Sequence, residues 1–164
     1  MKSRIARALG LLLLTPWTAV AAVRVGHGAS SKAASGDAWE IPDVASARRN
    51  PLSPNEEAVQ SGRTLFMIHC QSCHGSEGRG DGPDARLHER RKGHAPRNLT
   101  DPDVQQNLSD GDIFYRISKG IIERDKDNVV MPSFEERVPS EADRWHLVLF
   151  VRVLGRNGKG GSLR

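Results

Sequence analysis

Apolar residues recur at helical spacing in three segments of the chain. The first segment opens at residues 53–56, whose Ser-Pro-Asn-Glu sequence has the form of a capping box with proline at the first helical position. We predict a helix from Ser53 to about Cys70. Its apolar face is expected to contain Ala58, Gly62, Leu65, Phe66 and His69.

Two further helices are predicted in the C-terminal half. Residues 109–112 repeat the capping pattern, an apolar stripe follows them, and Gly120 is expected to end this helix. The last helix should start with a capping box formed by Ser140 and Asp143 and stop at Gly155. It is apolar on nearly every side, so we expect it to be buried. Alternation with the period of two that strands show is absent.

The segments between the helices are predicted to be loops. Residues 75–82 contain four glycines but lack the G-K-[ST] ending of a phosphate-binding loop. The segment from Arg86 to Arg97 is strongly basic and includes His88 and His94. We expect a solvated loop there, and a docking surface for an acidic redox partner is the alternative.

The N-terminal segment has the pattern of a secretory signal peptide. It combines a basic start, four consecutive leucines and a small-x-small cleavage site at residues 19–21. Its apolar stretch is short for a membrane span, although an uncleaved anchor that attaches the protein to the membrane is the alternative. We therefore predict a periplasmic protein with four parts: a signal peptide at 1–22, a flexible linker at 23–53, a folded domain at 54–155 and a flexible tail at 156–164.

Length and charge narrow the possible functions. A chain of 164 residues is expected to form one domain. The chain has 24 basic and 20 acidic residues, but three of the basic residues and none of the acidic ones lie in residues 1–22. The mature chain would then carry 21 basic and 20 acidic residues, a net charge of +1. This balance gives little support to nucleic-acid binding, and no nucleic-acid partner is predicted.

The two cysteines of the chain both lie in a C-x-x-C-H run at residues 70–74, which is the attachment signature of a c-type haem. The thiols of Cys70 and Cys73 would each bond to one vinyl group of the porphyrin, and His74 would bind the iron as its proximal ligand. Export supports this interpretation, because bacteria attach haem c outside the cytoplasm. A redox dithiol, a zinc site that includes His69, and a chance pair of cysteines are the alternatives.

The order of these features resembles that of class I cytochromes c, the small bacterial monohaem kind, over about residues 54–155. The shared features are a helix with a glycine–aromatic pair, the C-x-x-C-H motif, a glycine-rich loop, a proline–leucine segment, a Met-Pro pair and a final aromatic helix. The resemblance implies an all-α fold in which the first and last helices cross and one covalent haem c is enclosed. The positions that match the helix contact are Gly62, Phe66, Leu147 and Phe150.

The resemblance also implies a contact that orients the proximal ligand. The backbone carbonyl of Pro96 would accept a hydrogen bond from the ring of His74, and Leu99 would pack on the haem. The segment reads Pro-Arg-Asn-Leu, one residue longer than the family's commonest Pro-x-Leu.

Iron in an electron carrier is usually six-coordinate, so a distal ligand is expected. Met131 lies 57 residues beyond His74 in a predicted loop, Pro132 would stiffen that loop, and Met-Pro matches the family's ligand motif. A thioether ligand favours ferrous iron and closes the iron to other ligands. A histidine from the basic segment, His88 or His94, is the alternative ligand, and core packing is the alternative role of Met131.

These features predict an exported monohaem electron-transfer protein rather than an enzyme. Its partners would be an electron donor and an electron acceptor, both bound transiently through small interfaces. A haem subunit of a larger oxidoreductase complex is the main alternative. A haem-based sensor or haem enzyme with a labile distal ligand comes next, and a zinc-binding module is the alternative without haem.

Overall fold

The computed structural model describes residues 40–123 and 127–157. The helices in these ranges are α1 (Asp43–Ser46), α2 (Glu56–His69), α3 (Gln71–His74), α4 (Ala85–Lys92), α5 (Pro102–Asn107), α6 (Asp110–Lys119) and α7 (Glu141–Asn157). Two strands, β1 (Ile121–Glu123) and β2 (Asn128–Met131), form an antiparallel pair. The predicted signal peptide and parts of the predicted linker and tail, at 23–39 and 158–164, lie outside the described residues. No helix in the described ranges is long and apolar enough to cross a membrane.

The cap of helix α2 lies two residues later than the sequence predicted. The side chain of Asn55, not of Ser53, caps it by accepting a hydrogen bond of 2.8 Å from the amide of Ala58. Asn55 has an extended backbone, so Pro54 precedes the cap instead of occupying the first helical position. The helix ends at His69, next to the C-x-x-C-H motif, as predicted.

The core forms where α2 packs against α7. A Cβ atom added at Gly62 would overlap the backbone carbonyl oxygen of His146, so the absence of a side chain there lets the two backbones approach closely. One turn later, the rings of Phe66 and Phe150 lie 5.2 Å apart. Leu147 is almost fully buried beside them. The predicted contact between the first and last long helices is confirmed.

The caps of α6 follow the sequence prediction. Ser109 and Asp112 form a complete capping box, and Gly120 ends the helix with a positive φ of 74°. Helix α6 buries its apolar stripe in the same core, where the rings of Phe114 and Trp145 stack 4.1 Å apart.

Helix α7 starts as predicted but continues past its predicted end. The hydroxyl of Ser140 accepts a hydrogen bond of 3.2 Å from the amide of Asp143. Gly155 does not stop the helix, which extends to Asn157. Gly155 is instead a packing position, because the side chain of Gln105 fills the space that a Cβ atom would occupy.

The strands β1 and β2 form a short hairpin that the sequence did not predict. Ile121 pairs with Met131 and Ile122 pairs with Val129, so Val130 is an extra residue at a β-bulge. Three- and four-residue strands are too short for a period of two to be recognised, and burial along β2 does not alternate. The predicted charged loop before Met131 is therefore replaced in part by paired backbone.

Two predicted loop regions are ordered differently. Part of the basic segment, which was predicted to be a loop, forms α4. Its arginine, leucine, lysine and glutamate residues have high helix propensity. Because Ala85 is its one buried residue, the helix shows no apolar periodicity in the sequence. Residues 40–53 were expected to be a flexible arm. They contain α1, and Ser46 donates a hydrogen bond of 2.5 Å to Asp112, while Asn50 donates to the backbone carbonyl of Trp145.

Candidate functional site

A cavity of about 310 Å³ gathers residues that are far apart in the sequence. Its wall includes the C-x-x-C-H motif, the end of β2 with Met131, and the segment that contains Pro96. The cavity also receives side chains from the end of α2, from α4 and from α6. The candidate haem-binding residues from the sequence therefore line a single space.

The two cysteines lie at the junction of α2 and α3. Cys70 is the residue between the helices, and its carbonyl accepts hydrogen bonds from the amides of Cys73 and His74 at 3.2 and 2.9 Å. Both thiols are free and half-buried. Burial, and secondarily the neighbouring thiol of Cys73, raise the pKa of Cys70 to about 12. A redox dithiol needs a lowered thiol pKa, so this environment disfavours that alternative.

The zinc alternative finds no ligand set in the described ranges. It required His69, Cys70, Cys73 and His74 to converge on one ion. Within residues 40–123 and 127–157, no three His, Cys, Asp or Glu side chains form a group that could hold a metal ion. The cysteines and histidines of the motif lie along one cavity wall instead.

The ring of His74 is held by a backbone carbonyl, but the acceptor differs from the prediction. Nδ1 of His74 donates a hydrogen bond of 3.0 Å to the carbonyl oxygen of Arg97, not of Pro96. The carbonyl oxygen of Pro96 is instead close to Gly80. Glycine is required at position 80 because its φ is positive and because a Cβ atom there would overlap that oxygen. The amide of Leu99 is fixed to the glycine loop through a hydrogen bond of 2.6 Å to the carbonyl of Gly78.

The extra residue in the Pro-Arg-Asn-Leu segment explains why the carbonyl of Arg97, not that of Pro96, accepts the hydrogen bond from His74. Because Leu99 is held against the glycine loop and packs on the core, the added residue places the carbonyl of Arg97 nearest to His74. Pro96 still lines the cavity.

The environment of His74 prepares its other ring nitrogen for metal binding. A carbonyl can only accept, so the proton lies on Nδ1 and Nε2 keeps its lone pair. Burial is the main cause that lowers the pKa of His74, and a nearby His88 lowers it further, against the opposing effect of the Arg97 carbonyl. The neutral imidazole, which is the metal-binding form, is thus favoured at neutral pH.

Met131 reaches the cavity from the hairpin, a segment that follows the C-x-x-C-H motif by more than 50 residues. It is the last residue of β2, where the sequence predicted a loop, and it is half-buried. Gly120 closely approaches its backbone, since a Cβ atom at Gly120 would overlap the carbonyl oxygen of Met131. Beyond Pro132, the hydroxyl of Ser133 donates a hydrogen bond of 2.6 Å to the carbonyl of Ser118. The Met-Pro pair is therefore fastened to the end of α6.

The two alternative histidine ligands also line the cavity, but both have other partners. The ring nitrogens of His88 lie 3.0 Å from the carbonyl oxygen of His94 and 2.6 Å from that of Val130. Nε2 of His94 lies 3.4 Å from a carboxylate oxygen of Glu123. These contacts favour Met131 over either histidine as a candidate ligand.

Sequence reasoning missed three residues at this site. The role of Arg97 is played by its backbone carbonyl, which carries no residue-specific signal. Arg116 and Arg137 place two guanidinium groups among the cavity-lining residues. Neither arginine lies in a recognisable motif, and only the fold brings them to the cavity.

Comparison with known proteins supports the resemblance seen in the sequence. Residues 57–151 match the model of the family described as cytochrome c oxidase, cbb3-type, subunit III. This match covers more than half of the chain. No curated protein gave a significant match.

Several solved structures are similar to part of the chain. A reducing HAO-like protein complex of Kuenenia stuttgartiensis (Kustc0457/Kustc0458) is 28% identical, with a TM-score of 0.49, over 63% of this chain and 46% of the other. The KustC0563 c-type cytochrome is 27% identical, with a TM-score of 0.44, over 57% of this chain and 95% of the other. Cytochrome cL of Methylophaga aminisulfidivorans MPT is 21% identical, with a TM-score of 0.43, over 63% and 57% of the two chains. The chain thus spans about half the length of the first of these proteins.

Proposed function

We propose that this chain, which belongs to the family of cbb3-type cytochrome c oxidase subunit III, is an exported carrier of single electrons with one haem. Membership of that family makes it a c-type cytochrome domain, which binds haem c covalently and takes part in electron transfer. In this proposal the side chains of His74 and Met131 would bind the haem iron. The observation that carries it is the cavity, which is lined by both Met131 and the C-x-x-C-H motif although Met131 lies 57 residues beyond His74.

The residues around the cavity fit a haem by their chemistry. Two free thiols, one neutral imidazole with an available Nε2 and one thioether supply the attachment points and both axial donors. Arg116 and Arg137 supply positive charge suited to the two carboxylate groups of a haem. A bound haem provides an iron atom that alternates between the ferrous and ferric states.

The proposed roles of the side chains follow from their contacts. Cys70 and Cys73 would attach a haem covalently next to the end of α2. The hydrogen bond from His74 to Arg97 fixes the imidazole and increases its strength as a ligand. Ile121, Val130 and Phe134 give the cavity an apolar wall that excludes water.

Met131 decides between electron transfer and the sensor or enzyme alternative. A thioether on the sixth position stabilises the ferrous state and leaves no position open for an external substrate. Chemistry on oxygen or peroxide needs such an open position. The proposed ligand pair therefore supports a carrier of electrons.

The redox partners are proposed to dock transiently near the cavity. The exposed residues of α4 include Arg86, Arg90 and Arg91, which would attract an acidic partner surface. A second candidate function is a haem subunit within a larger oxidoreductase complex, and the family description as an oxidase subunit favours it. Purification of the tagged protein from its native membrane and soluble fractions separates the two: a free carrier elutes alone, and a subunit elutes with a catalytic partner.

Intact mass spectrometry tests the haem count and the proposed export together. Protein made in a host with working haem-attachment machinery should carry one haem and should lack residues 1–21 or 1–22. A colourless product would contradict haem attachment. Retention of residues 1–22 in a haem-loaded product would contradict cleavage of the signal peptide and favour the membrane anchor.

A further inference from the structure

The bulge in β2 places a buried backbone carbonyl beside a side chain from outside the hairpin. Val130 is the extra residue of this bulge, between the pairs formed by Val129 and Met131. It is 7% exposed, so water has little access to satisfy its carbonyl oxygen. A buried carbonyl of this kind needs a hydrogen-bond donor from elsewhere in the chain.

The side chain of His88 supplies that donor. Nε2 of His88 lies 2.6 Å from the carbonyl oxygen of Val130, and Nδ1 lies 3.0 Å from the carbonyl oxygen of His94. A neutral imidazole donates to one of these oxygens, and an imidazolium donates to both. The ring thereby links the segment that follows α4 to the bulged strand, one residue before Met131.

The Met-Pro pair is then anchored on both sides. Before it, the bond from His88 holds Val130. After it, Ser133 donates to the carbonyl of Ser118, and the amide of Phe134 donates to the carbonyl of Ile117 at 3.0 Å. The anchor after the pair joins it to α6, and the anchor before the pair joins it to α4. Asn128 also joins the start of β2 to α4, through a hydrogen bond of 2.7 Å to the carbonyl of Lys92. Loss of the His88 bond would therefore free the segment at Val130, next to Met131, while the start of β2 and the α6 side stayed fixed.

We propose that His88 is a positioning residue for the sixth ligand: its hydrogen bond to the bulged carbonyl of Val130 holds Met131 toward the cavity. This inference rests on the proposed role of Met131 as an iron ligand. His88 was the alternative iron ligand, but both of its ring nitrogens face carbonyl oxygens. The proposal therefore gives it a role in placing Met131 and not in binding iron.

The test is the binding of imidazole to the oxidised, haem-loaded full-length protein. Imidazole enters only when the sixth position is open, so its apparent affinity reports the open fraction. Removal of the anchor by His88→Leu should raise the apparent affinity by about 5- to 30-fold, which corresponds to the loss of one hydrogen bond to a buried carbonyl. His88→Gln, whose amide nitrogen can still donate to the carbonyl of Val130, should remain closer to wild type. His146→Gln is the matched control, because that histidine lies on α7 and does not line the cavity.

A double variant distinguishes positioning from general destabilisation. With Met131→Ala, the sixth position is already open, so adding His88→Leu should leave the imidazole affinity unchanged. A further rise in the double variant, or wild-type affinity in His88→Leu, would overturn the positioning role and leave the ligand assignment intact. If Met131→Ala itself fails to change the spectrum and His88→Leu opens the iron, Met131 is not the ligand and both proposals fail.

Discussion

The two walls of the cavity are built in different ways. The wall with the C-x-x-C-H motif is continuous with α2, which packs against α7 through Gly62 and the pair of Phe66 and Phe150. The wall with Met131 is the end of a two-stranded hairpin, fastened by a few hydrogen bonds to α4 and α6. Hydrophobic core packing involves the whole fold, whereas a hairpin of this size is marginal by itself.

This difference indicates which part of the protein should unfold locally before the rest. A change on the helical wall should destabilise the whole domain, because α2 and α7 form its core. A change on the hairpin wall should release Met131 locally while the helices remain folded. The two walls therefore separate the stability of the fold from the stability of the proposed sixth ligand.

Gly62→Leu is expected to have the largest effect and to break the helical wall. The added side chain would overlap the backbone carbonyl of His146, which cannot rotate away. The free energy of unfolding should fall by about 3 kcal/mol, the upper end of the range for overpacking. Guanidinium denaturation of the haem-loaded protein measures this loss.

The neighbouring exposed residue provides the control for that experiment. Arg63→Leu adds a side chain of the same type on the solvent face of α2 and should change the stability by less than about 0.5 kcal/mol. Equal unfolding midpoints for Gly62→Leu and Arg63→Leu would mean that α2 and α7 do not meet at Gly62.

Gly120→Ala should act next most strongly, on the hairpin wall. Its φ of 74° is unfavourable for alanine, and the new Cβ atom would overlap the carbonyl oxygen of Met131. The expected cost is about 2 kcal/mol. If Met131 binds the iron, the oxidised protein should have a weak red absorption from sulfur-to-iron charge transfer. In Gly120→Ala this absorption should disappear at a temperature well below that of helix unfolding.

Gly93→Ala is the comparison variant, at a glycine with a similar φ but a less restricted ψ of 3° and no close neighbour. Gly93 has a φ of 73°, but nothing lies within 4 Å of an added Cβ atom. The variant should therefore cost only about 1 kcal/mol of backbone strain and leave the charge-transfer absorption in place until the helices unfold. Identical behaviour of the two alanine variants would argue against close packing of Gly120 on the Met-Pro pair.

Ser133→Ala should have the smallest of these effects. It removes the hydrogen bond to the carbonyl of Ser118, worth about 1 kcal/mol. The reduced protein should bind carbon monoxide about 5-fold more tightly, because the open state becomes more populated. Thr64→Ala removes a similar hydroxyl-to-carbonyl bond on α2 and should leave carbon monoxide affinity unchanged. A similar rise in carbon monoxide affinity in both variants would mean that the hairpin wall does not open separately from the helical wall.

The sequence predicted the features that have a local chemical signal. The C-x-x-C-H motif, the capping box at Ser109, the stop at Gly120 and the glycine contact at Gly62 each depend on residue types at short spacing. The predicted class I cytochrome c fold is confirmed by the family match and the helical structure.

The sequence did not predict features that depend on the backbone or on distant packing. The acceptor for His74 is a carbonyl, which every residue has, so the shift from Pro96 to Arg97 became visible only in the fold. The role of His88 depends on a bulge in strands too short to detect. The packing of Gly155 against Gln105 joins residues 50 positions apart, so it too could be seen only in the folded structure.

The central claim is that His74 and Met131 are the two axial ligands of one haem. A potentiometric titration of wild type, Met131→Ala and Met131→His, each monitored by its absorption spectrum, tests it most directly. The account predicts that wild type has the red charge-transfer absorption and the highest potential of the three, since axial ligands move haem potentials over a range of about 0.8 V. Met131→Ala should lose the absorption and bind carbon monoxide, and Met131→His should be six-coordinate at a low potential. An unchanged spectrum and potential in Met131→Ala would contradict the claim.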